Sequence, residues 1–284
     1  MEKLTKVQFT NLDKVLFPQA EITKGKMIEY YVRIAPKVLN ILKDRPVNLK
    51  RFPNGIDKDG FFEQDAPIGT PPWVKIFKRY SASAKRYVGY IVCNDLDTIA
   101  WIANLAAVEI HMSLSRTFDM KIPDFAFFDI DPEPPLTFDD TAAVTLLVKE
   151  KLDALGLVSF VKTSGKKGLH VLVPIDDGFT YKQTRDFVHK VGIELSKESD
   201  IIVSELSRSK ERGTVFIDYL QNATGKTMIA PYSLRAAPGA TVSTPLEWGE
   251  VKKGIRPDEF TISTVAKRGD PWKGIFGNKQ KIGS

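Results

Sequence analysis

The sequence predicts an α/β (α+β) protein built on a mixed sheet, and two features of the chain support this fold class. Stretches with apolar residues at helical spacing occur between short apolar or alternating runs that are typical of strands. In addition, residues 158–174 predict two strands joined by a Gly-rich turn, a connection that pairs strands antiparallel. We therefore expect helices on a mixed sheet, with a basic N-terminal region packed beside it.

The first predicted helix begins after Thr23, a good capping residue, and ends at about Leu42. Its apolar stripe consists of Met27, Tyr31, Ile34, Val38 and Ile41. A strand is predicted in YVGYIVC. The segment DLDTIAWIANLAAVEIHM then predicts a helix with Asp97 as its candidate cap, followed by a short strand that ends near His111.

The rest of the chain alternates between strands and helices. The predicted elements are a strand at 125–131, a helix at 139–155 ended by Gly156, the strand pair within 158–174, a helix at 181–197, and strands at about 201–205 and 214–220. From Pro238 onward the chain is rich in turn residues and predicts only short helical pieces.

Composition places the chain among ordinary globular proteins. Of its 284 residues, 43% are hydrophobic and 27% are charged, and no apolar run approaches the roughly 20 residues of a membrane span. The first residues, MEKLTKVQFTNLDK, contain no apolar signal-peptide core, and the single cysteine, Cys93, excludes an intramolecular disulfide framework. We therefore expect no membrane association and a reducing, cytoplasmic compartment.

Positive charge is concentrated at the two ends of the chain. Residues 1–60 carry 12 basic and 7 acidic side chains, and residues 252–284 carry 8 and 3, whereas the whole chain is only +6. The middle is therefore negative. Basic ends around an acidic centre suit a polyanion held against metal ions. A lysine-rich surface that only improves solubility is an equally weighted alternative.

Two acids end an apolar strand in the segment FAFFDIDPEPP. Asp129 and Asp131 are two residues apart, so their side chains point to the same face of the strand. Like charges at this spacing need a shared proton, a cation partner or a metal. Solvated aspartates in an Asp-Pro turn are the alternative, which these residues alone slightly favour.

A second apolar run, TVFIDYLQN, carries Asp218 in a similar setting. If the two strands are neighbours, the three acids converge. Oxygen ligands with coordination positions left for phosphates are what hard divalent cations prefer. Two such ions can clamp the attacking and leaving oxygens of a displacement at phosphorus.

The turn TSGKKGLH offers a candidate anion site. Gly165 and Gly168 allow backbone N–H groups to turn toward an anion, Lys166 and Lys167 supply charge, and Ser164 adds a hydroxyl. The motif is not a Walker loop, because a strand rather than a helix follows it. A solvated turn is the commoner fate of such residues, but beside a carboxylate cluster we favour a triphosphate site.

These motifs together resemble a known family. D-I-D at 129–131, S-G-x-K-G-x-H at 164–170 and FIDYLQN…APYSLR at 216–235 are similar to the polymerase domain of ligase-D-type bacterial and archaeal non-homologous end-joining proteins, within the archaeo-eukaryotic primase superfamily. The resemblance extends over nearly the whole chain through NLDKVLFP, KRFPNG, FFEQ, WIANLAAVEIH and SLRAAPG. It implies a two-lobed primase-polymerase fold with a mixed, largely antiparallel, RNA-recognition-like catalytic sheet.

The same resemblance implies one primase-polymerase domain over residues 1–284. Within it we expect a basic N-terminal region with DNA-end contacts at 1–122, a catalytic core at 123–237, and a C-terminal tail at 238–284 that packs on the core.

Site residues follow from the resemblance position by position. Asp129, Asp131 and Asp218 match catalytic carboxylates that hold two Mn²⁺ or Mg²⁺ ions. Ser164, Lys167 and His170 match contacts to the incoming NTP or dNTP, and His111 matches a residue near its sugar. Lys226 and Arg235 match basic groups that contact the triphosphate. One departure concerns Glu211, which stands where the family often has an arginine; Lys210 or Arg212 is its candidate replacement.

Contacts to DNA are implied in the N-terminal region. Asn11, Lys14 and Lys24 match a pocket for the 5′-phosphate of the downstream strand, and the capped helix start beside Lys24 is expected to offer N–H groups to that anion. Phe61 and Phe62 match an aromatic pair that stacks on template bases, whereas burial in the core is the commonest fate of phenylalanine.

The function implied is a template-directed repair polymerase, a nucleotidyltransferase that extends primer 3′ ends at gaps and double-strand breaks and favours ribonucleotides. The implied partners are DNA with a 5′-phosphate, the Ku end-binding protein and a separate DNA ligase, at the nucleoid. A two-metal nuclease is one alternative. The Gly-Lys turn and Arg235 argue against it, because a nuclease needs no triphosphate site. A non-catalytic module that binds DNA breaks is the other alternative. It would keep the basic residues and the Phe61-Phe62 pair but would not need three converging acids.

Overall fold

The computed structural model describes residues 4–81 and 84–283, and within them the chain forms the following elements. The strands are β1 (Val15–Phe17), β2 (Ile22–Thr23), β3 (Pro46–Arg51), β4 (Phe61–Glu63), β5 (Ile76–Ser81), β6 (Arg86–Val92), β7 (Ala107–Ser113), β8 (Ser115–Arg116), β9 (Asp119–Pro123), β10 (Phe125–Pro132), β11 (Phe160–Thr163), β12 (Leu169–Pro174), β13 (Ile202–Val203), β14 (Val215–Asp218), β15 (Thr227–Ile229) and β16 (Pro245–Leu246). The α-helices are α1 (Lys24–Leu42), α2 (Leu96–Asn104), α3 (Phe138–Ala154), α4 (Tyr181–Ser196) and α5 (Ile262–Val265).

The chain forms two compact units that are discontinuous in sequence. The first comprises the described parts of Met1–Phe118 with Thr227–Ser243 and Phe260–Arg268; the second comprises Asp119–Lys226, Thr244–Glu259 and the described part of Gly269–Ser284. Residues 238–284, expected as one tail, are therefore shared between the units. The sequence could not predict this split, because it depends on contacts between segments that are distant along the chain.

The first unit is built on an antiparallel sheet with the strand order β15-β7-β3-β6-β5, and β4 also pairs with β3. Helix α1 begins as predicted: the Thr23 hydroxyl accepts a hydrogen bond from the Lys26 N–H at 3.2 Å. The helix ends at Leu42, and all five residues of its predicted apolar stripe are buried. Burial of this stripe fixes the face that α1 turns toward the rest of the unit.

The cap of α2 differs from the prediction. Asp95, not Asp97, is the N-cap, because its carboxylate accepts the Thr98 N–H at 2.8 Å. Asp97 lies in the first turn, where it accepts the backbone N–H groups of Thr5 and Lys6. Both acids of the D-L-D segment have the chemistry of a cap, and only the helix start decides between them.

The second unit is built on a sheet with the strand order β13-β14-β10-β12-β11-β16. Only β13 and β14 pair in parallel, so the predicted mixed, largely antiparallel sheet is confirmed. Helices α3 and α4 pack on one face of β10, where Phe128 contacts Phe187 with ring centroids 6.1 Å apart. The acids of β10 point to the opposite face, because side chains alternate along a strand.

Strand β14 is shorter than predicted and ends at Asp218. The chain turns there because the Asp218 carboxylate accepts the N–H of Leu220, two residues ahead. Asn222 then takes the place of a strand residue beside β10. Its side-chain oxygen accepts the Phe127 N–H at 2.9 Å, and its side-chain NH₂ donates to the Phe127 carbonyl at 2.6 Å. The amide therefore satisfies the backbone of a central strand beyond the end of its neighbour.

None of the helices in the described residues is both long enough and apolar enough to cross a membrane.

Candidate functional site

The three predicted acids meet on one face of the sheet of the second unit. Asp129 on β10 lies directly opposite Asp218 on β14 in the antiparallel register, so both side chains project from the same face. Asp131 shares this face because it is two residues further along β10. The two strands are therefore neighbours, the condition on which the predicted convergence depended, and the three acids share one sheet face.

His170 extends this row on the other side of β10. It is the register partner of Asp129 on β12, and its Nε2 lies 3.0 Å from an Asp129 carboxylate oxygen. Its ring packs edge-on against Phe127, with centroids 5.0 Å apart. The next position in the row is Lys162 on β11, which is fully buried. Sequence reasoning missed Lys162, because only the register reveals a lysine beside the acids.

The surroundings of the acids raise two of their pKa values. Burial, and then the charge of Asp129, raise the pKa of Asp131, although the charges of His170 and Lys167 oppose the shift. Burial also raises the pKa of Asp218, against hydrogen bonds from Gln221 and Leu220 and the positive charge of the exposed Lys226. Both carboxyls are thus held where an added positive charge would stabilise their ionised forms.

The Gly-Lys turn beside Asp131 differs from its predicted form. The Ser164 hydroxyl accepts the backbone N–H groups of Lys166 and Gly168, at 3.3 and 3.1 Å, so these groups are directed into the turn. Gly165 has a φ of +75°, as a tight turn requires. Gly168 is required for a different reason: a Cβ at this position would collide with the carboxylate of Asp131 and the carbonyl of Ile130.

Lysine side chains surround the end of β10. Lys167 donates to the carbonyl of Pro132 at 2.9 Å and lies 3.7 Å from the carboxylate of Glu133. Lys210 binds the same Glu133 carboxylate at 2.8 Å, and the charges of Asp131 and Asp218 contribute to raising its pKa, after Glu133 itself.

Glu211, which departs from the family pattern, instead pairs with Arg208 at 2.6 Å on the surface. Of the two candidate replacements, Lys210 is the one whose pKa is raised in part by the charges of Asp131 and Asp218, after its hydrogen bond to Glu133. The sequence could not rank Lys210 against Arg212, because the two are neighbours on an irregular segment.

The donor chemistry of the acid row fits divalent cations. Three carboxylates project from one sheet face, and burial together with their mutual repulsion raises the pKa of two of them. Across residues 4–81 and 84–283, however, no three histidine, cysteine or acidic side chains already form a closed group that could hold a metal ion. Asp129 lies against His170 and Asp218 accepts from Gln221, so ligation requires these side chains to turn.

In the first unit, His111 and Arg235 share a carboxylate that the sequence did not single out. His111 Nε2 lies 2.9 Å from an oxygen of Glu109, and Arg235 Nε lies 3.4 Å from the other. Glu109 also accepts the Ala236 N–H at 3.0 Å. Period-two spacing on β7 places Glu109 and His111 on one face, and this was the signal available in the sequence.

Phe61 and Phe62 are exposed by 47% and 60%, which rules out the alternative that they are core residues. Cations lie against both rings: the Arg51 guanidinium is 5.3 Å from the Phe61 centroid, and the Lys50 ammonium is 5.4 Å from that of Phe62. The Phe62 ring also meets His111 edge-on at 5.3 Å. An exposed aromatic pair with adjacent positive charge is suited to stacking on bases.

Lys14 and Lys24 lie close together at the start of α1. Lys14 donates to Asn54 at 3.0 Å and Lys24 donates to Thr10 at 3.1 Å, so both ammonium groups are hydrogen-bonded to neutral oxygens. Lys24 is only 5% exposed, and burial and then the charges of Lys14 and Arg51 lower its pKa. A group in this state is stabilised by an anion.

The expected N–H groups at the start of α1 are not available to that anion. The N–H of Lys24 binds the carbonyl of Lys14, that of Gly25 binds the carbonyl of Leu12, and that of Lys26 binds Thr23. Asn11 has a φ of +51° and closes the turn that delivers these carbonyls, since its own carbonyl accepts the Lys14 N–H. Any anion here must therefore be held by side chains rather than by these backbone groups.

Comparison with known proteins places these features in a family. The family model described as LigD, primase-polymerase domain, matches residues 23–272. The chain is 33% identical over 281 residues to the bifunctional non-homologous end joining protein LigD of Bacillus subtilis, covering 97% of this chain and 45% of that protein. It is 32% identical over 278 residues to the multifunctional non-homologous end joining DNA repair protein LigD of Mycobacterium tuberculosis, covering 93% and 36%. The chain thus spans less than half the length of these relatives.

A solved structure extends the match to three dimensions. The polymerase domain from Mycobacterium tuberculosis ligase D, in complex with DNA, superposes with a TM-score of 0.88 at 30% identity, covering 96% of this chain and 99% of that one. The predicted primase-polymerase fold is therefore confirmed. Because the family model covers most of the chain and the relatives match it almost end to end, the chain belongs to the LigD primase-polymerase domain family.

Proposed function

We propose that this chain is a template-directed DNA-repair polymerase that transfers nucleotides to primer 3′ ends at gaps and double-strand breaks. The observation that carries the proposal is the acid row, in which Asp129 lies opposite Asp218 with Asp131 on the same face. Family membership supports the same reaction class, since relatives are named for end joining and the matched structure is named as a polymerase domain.

Asp129, Asp131 and Asp218 would hold divalent ions, which we take to be two Mn²⁺ or Mg²⁺. When bound, such ions lower the pKa of an attacking hydroxyl and stabilise a departing pyrophosphate. The protein's own contribution is to fix the three carboxylates on a rigid sheet. The Leu220 N–H would keep Asp218 at the end of β14, whereas Asp129 would turn from His170, and Asp218 from Gln221, to reach the ions.

Nucleotide binding is assigned to side chains near the acids of the second unit and to a separate set in the first. Lys167 and Lys226 would neutralise charge on the phosphates, as would Lys210 in place of the missing arginine. Ser164 acts by shaping the turn that carries Lys167, since its hydroxyl already binds two N–H groups. In the first unit, Arg235 would contact phosphate and His111 the sugar.

DNA contacts are assigned to the first unit. Phe61 and Phe62 would stack on template bases, and Lys14 and Lys24 would hold a downstream 5′-phosphate, with Asn11 shaping the turn beside them. We further propose that the chain works at the nucleoid with a Ku-type end-binding protein and a DNA ligase, because its relatives are named for end joining.

Primer extension on gapped DNA tests the proposal against its two rivals. With Mn²⁺ or Mg²⁺ and nucleotides, a polymerase lengthens the primer according to the template, and we expect higher kcat/KM for ATP than for dATP opposite template T. A two-metal nuclease shortens the DNA without nucleotides, and a binding module changes no DNA length. Either of these last outcomes overturns the proposed activity, whereas equal efficiency with ATP and dATP removes only the sugar preference.

A further inference from the structure

A buried carboxylate, Glu109, joins two groups that are assigned to the nucleotide. The residue is 1% exposed. One carboxylate oxygen lies 2.9 Å from His111 Nε2; the other accepts the Ala236 N–H at 3.0 Å and lies 3.4 Å from Arg235 Nε. The hydrogen bonds orient His111 and the backbone at Ala236, whereas Arg235 Nε makes no hydrogen bond to any described residue and is held to Glu109 by charge alone.

Glu109 is surrounded by two positively charged residues and a histidine ring. Arg235 lies on the segment after β15, His111 is two residues along β7, and Lys50 is the register partner of Glu109 on β3. His111 and Arg235 lower the pKa of Glu109 to about 2, even though burial acts in the opposite direction. The carboxylate is therefore ionised at neutral pH and can only accept hydrogen bonds.

This fixes the tautomer of His111. Because Glu109 only accepts, the nitrogen facing it, Nε2, must carry a proton. Burial is the main cause that lowers the pKa of His111, so the ring is neutral at pH 7 and its Nδ1 presents a lone pair. A lone pair can accept a hydrogen bond from a hydroxyl but offers nothing to a C–H group.

We propose that Glu109 is a positioning residue for the nucleotide: its carboxylate holds His111 as the Nε2–H tautomer and orients the Arg235 guanidinium. One side chain thereby sets both the sugar contact and the phosphate contact of the first unit. The inference rests on the proposed function, because it takes His111 and Arg235 to be nucleotide contacts.

A purely structural ion pair is the competing explanation, since Glu109 also ties β7 to the 235–236 backbone. The two explanations differ in what Glu109→Gln does. Glutamine keeps the size of the side chain but removes the charge, and its amide can present either an acceptor or a donor to His111. A structural role predicts lower stability alone, whereas a positioning role also changes the tautomer of His111 and the discrimination between sugars.

Asp97→Asn is the matched control. Asp97 is also a buried carboxylate of the first unit, but it accepts the backbone N–H groups of Thr5 and Lys6 instead of binding His111 or Arg235. It should lower the melting temperature without changing nucleotide selection. Each variant is compared with the wild-type chain in two measurements, one without nucleotide and one with it.

The first measurement is nitrogen NMR of the histidine rings at pH 7. The chain has three histidines, so the His111 signals can be assigned by single substitutions. We expect wild type and Asp97→Asn to show the Nε2–H tautomer of His111 and Glu109→Gln to lose this single form. An Nδ1–H tautomer or an imidazolium in wild type overturns the proposal without any variant.

The second measurement is steady-state incorporation of ATP and dATP. For Glu109→Gln we expect KM for ATP to rise about tenfold, the scale of one charge-assisted hydrogen bond, with kcat changing less and the ATP/dATP ratio falling toward one. An unchanged ratio and KM with reduced stability would make the role structural and overturn the inference. If wild type incorporates neither nucleotide, the proposed function fails, and the NMR result decides the role of Glu109 toward His111 by itself.

Discussion

Asp129 and Asp218 lie directly opposite each other on neighbouring antiparallel strands, β10 and β14, with both carboxylates on the same sheet face. Like charges in this cross-strand position repel and destabilise the sheet. The repulsion is retained even though Asp131 adds a third acid to the same face. If these acids hold cations as proposed, the stability and the activity of the protein should respond in opposite directions to the loss of one of them.

Asp218→Asn should therefore abolish activity and slightly stabilise the fold. Removing one of two opposed charges relieves repulsion worth about 0.2–1 kcal/mol. The asparagine oxygen can still accept the Leu220 N–H that shapes the turn after β14. If Asp218 is a metal ligand as proposed, nucleotide incorporation should fall by roughly 100-fold or more. Primer extension and urea unfolding of the same preparations provide the two readouts.

Asp139→Asn is the control for this substitution. Asp139 lies in the first turn of α3 of the same unit and binds the Gly254 N–H and Arg256. Its loss should leave incorporation unchanged and should not stabilise the protein. Incorporation by Asp218→Asn within a few-fold of wild type would show that this acid is not a metal ligand.

Gly168→Ala should impair catalysis through Asp131. A Cβ at Gly168 has no space unless the Asp131 carboxylate or the β10 backbone moves. We expect incorporation to fall roughly 100-fold, the scale of losing a preorganised charged group, with a stability loss of about 1–3 kcal/mol from overpacking. Gly249→Ala is the control, because nothing lies within 4 Å of its added methyl group. Equal activity of the two variants would mean that Asp131 can move without cost.

The acids were predictable from sequence because strand periodicity is local: Asp129 and Asp131 share a face wherever the strand lies. Their meeting with Asp218, and the placement of Lys162 beside His170, depend on strand order and register, which are long-range properties. Gly168 was predicted for the wrong reason, because a glycine that makes room for another residue looks identical in sequence to one that frees the backbone. Glu109 was missed because two of its partners, Arg235 and the backbone of Ala236, are distant in sequence, so its pattern alone does not indicate a role.

Lys210→Ala should weaken nucleotide use, if this lysine replaces the arginine absent at position 211. Lys210 binds Glu133, and the charges of Asp131 and Asp218 act on it. We expect kcat/KM for the nucleotide to fall about tenfold. Lys210→Arg should restore most of this loss. Glu211→Ala is the control, since Glu211 pairs with Arg208 instead. An equally large fall in kcat/KM for this control would mean that the substitutions act by changing the conformation of the segment and not by removing the Lys210 charge.

The stability of the protein should depend on pH through Glu109. Its pKa falls from the ordinary 4.5 to about 2 in the folded protein. A lowered folded pKa adds stability that is complete above about pH 4.5 and is lost as the pH falls toward 2. Over the full range this is about 3 kcal/mol, of which about 2 kcal/mol is lost between pH 6 and pH 3.

Glu109→Gln removes this titration. Urea unfolding at pH 6 and pH 3 should therefore show wild type losing about 2 kcal/mol more than the variant. The gap in unfolding free energy between the two proteins narrows as the pH falls. A gap that stays constant or widens between these pH values would contradict the buried, ionised state of Glu109.

The pocket of Lys14 and Lys24 should select a terminal 5′-phosphate. A terminal phosphate carries more charge than an internal phosphodiester. Burial, and then the charges of Lys14 and Arg51, lower the pKa of Lys24, so an adjacent anion would stabilise its charged form. We expect gapped DNA with a 5′-phosphate to bind more tightly than the same DNA with a 5′-hydroxyl, by about 1–3 kcal/mol. Binding titrations with both DNAs at one salt concentration measure this difference.

The double variant Lys14→Ala, Lys24→Ala should erase that preference while extension of a simple primer-template changes much less. Lys37→Ala, Lys43→Ala removes the same charge from the C-terminal half of α1 and from its C-cap, about 20 Å or more along the helix. It should weaken binding to both DNAs alike and keep the preference, because non-specific attraction depends on total charge. Because the N–H groups at the start of α1 are already bonded, no backbone donor can substitute for the two lysines. A preference that survives the loss of both would therefore place the 5′-phosphate elsewhere on the protein.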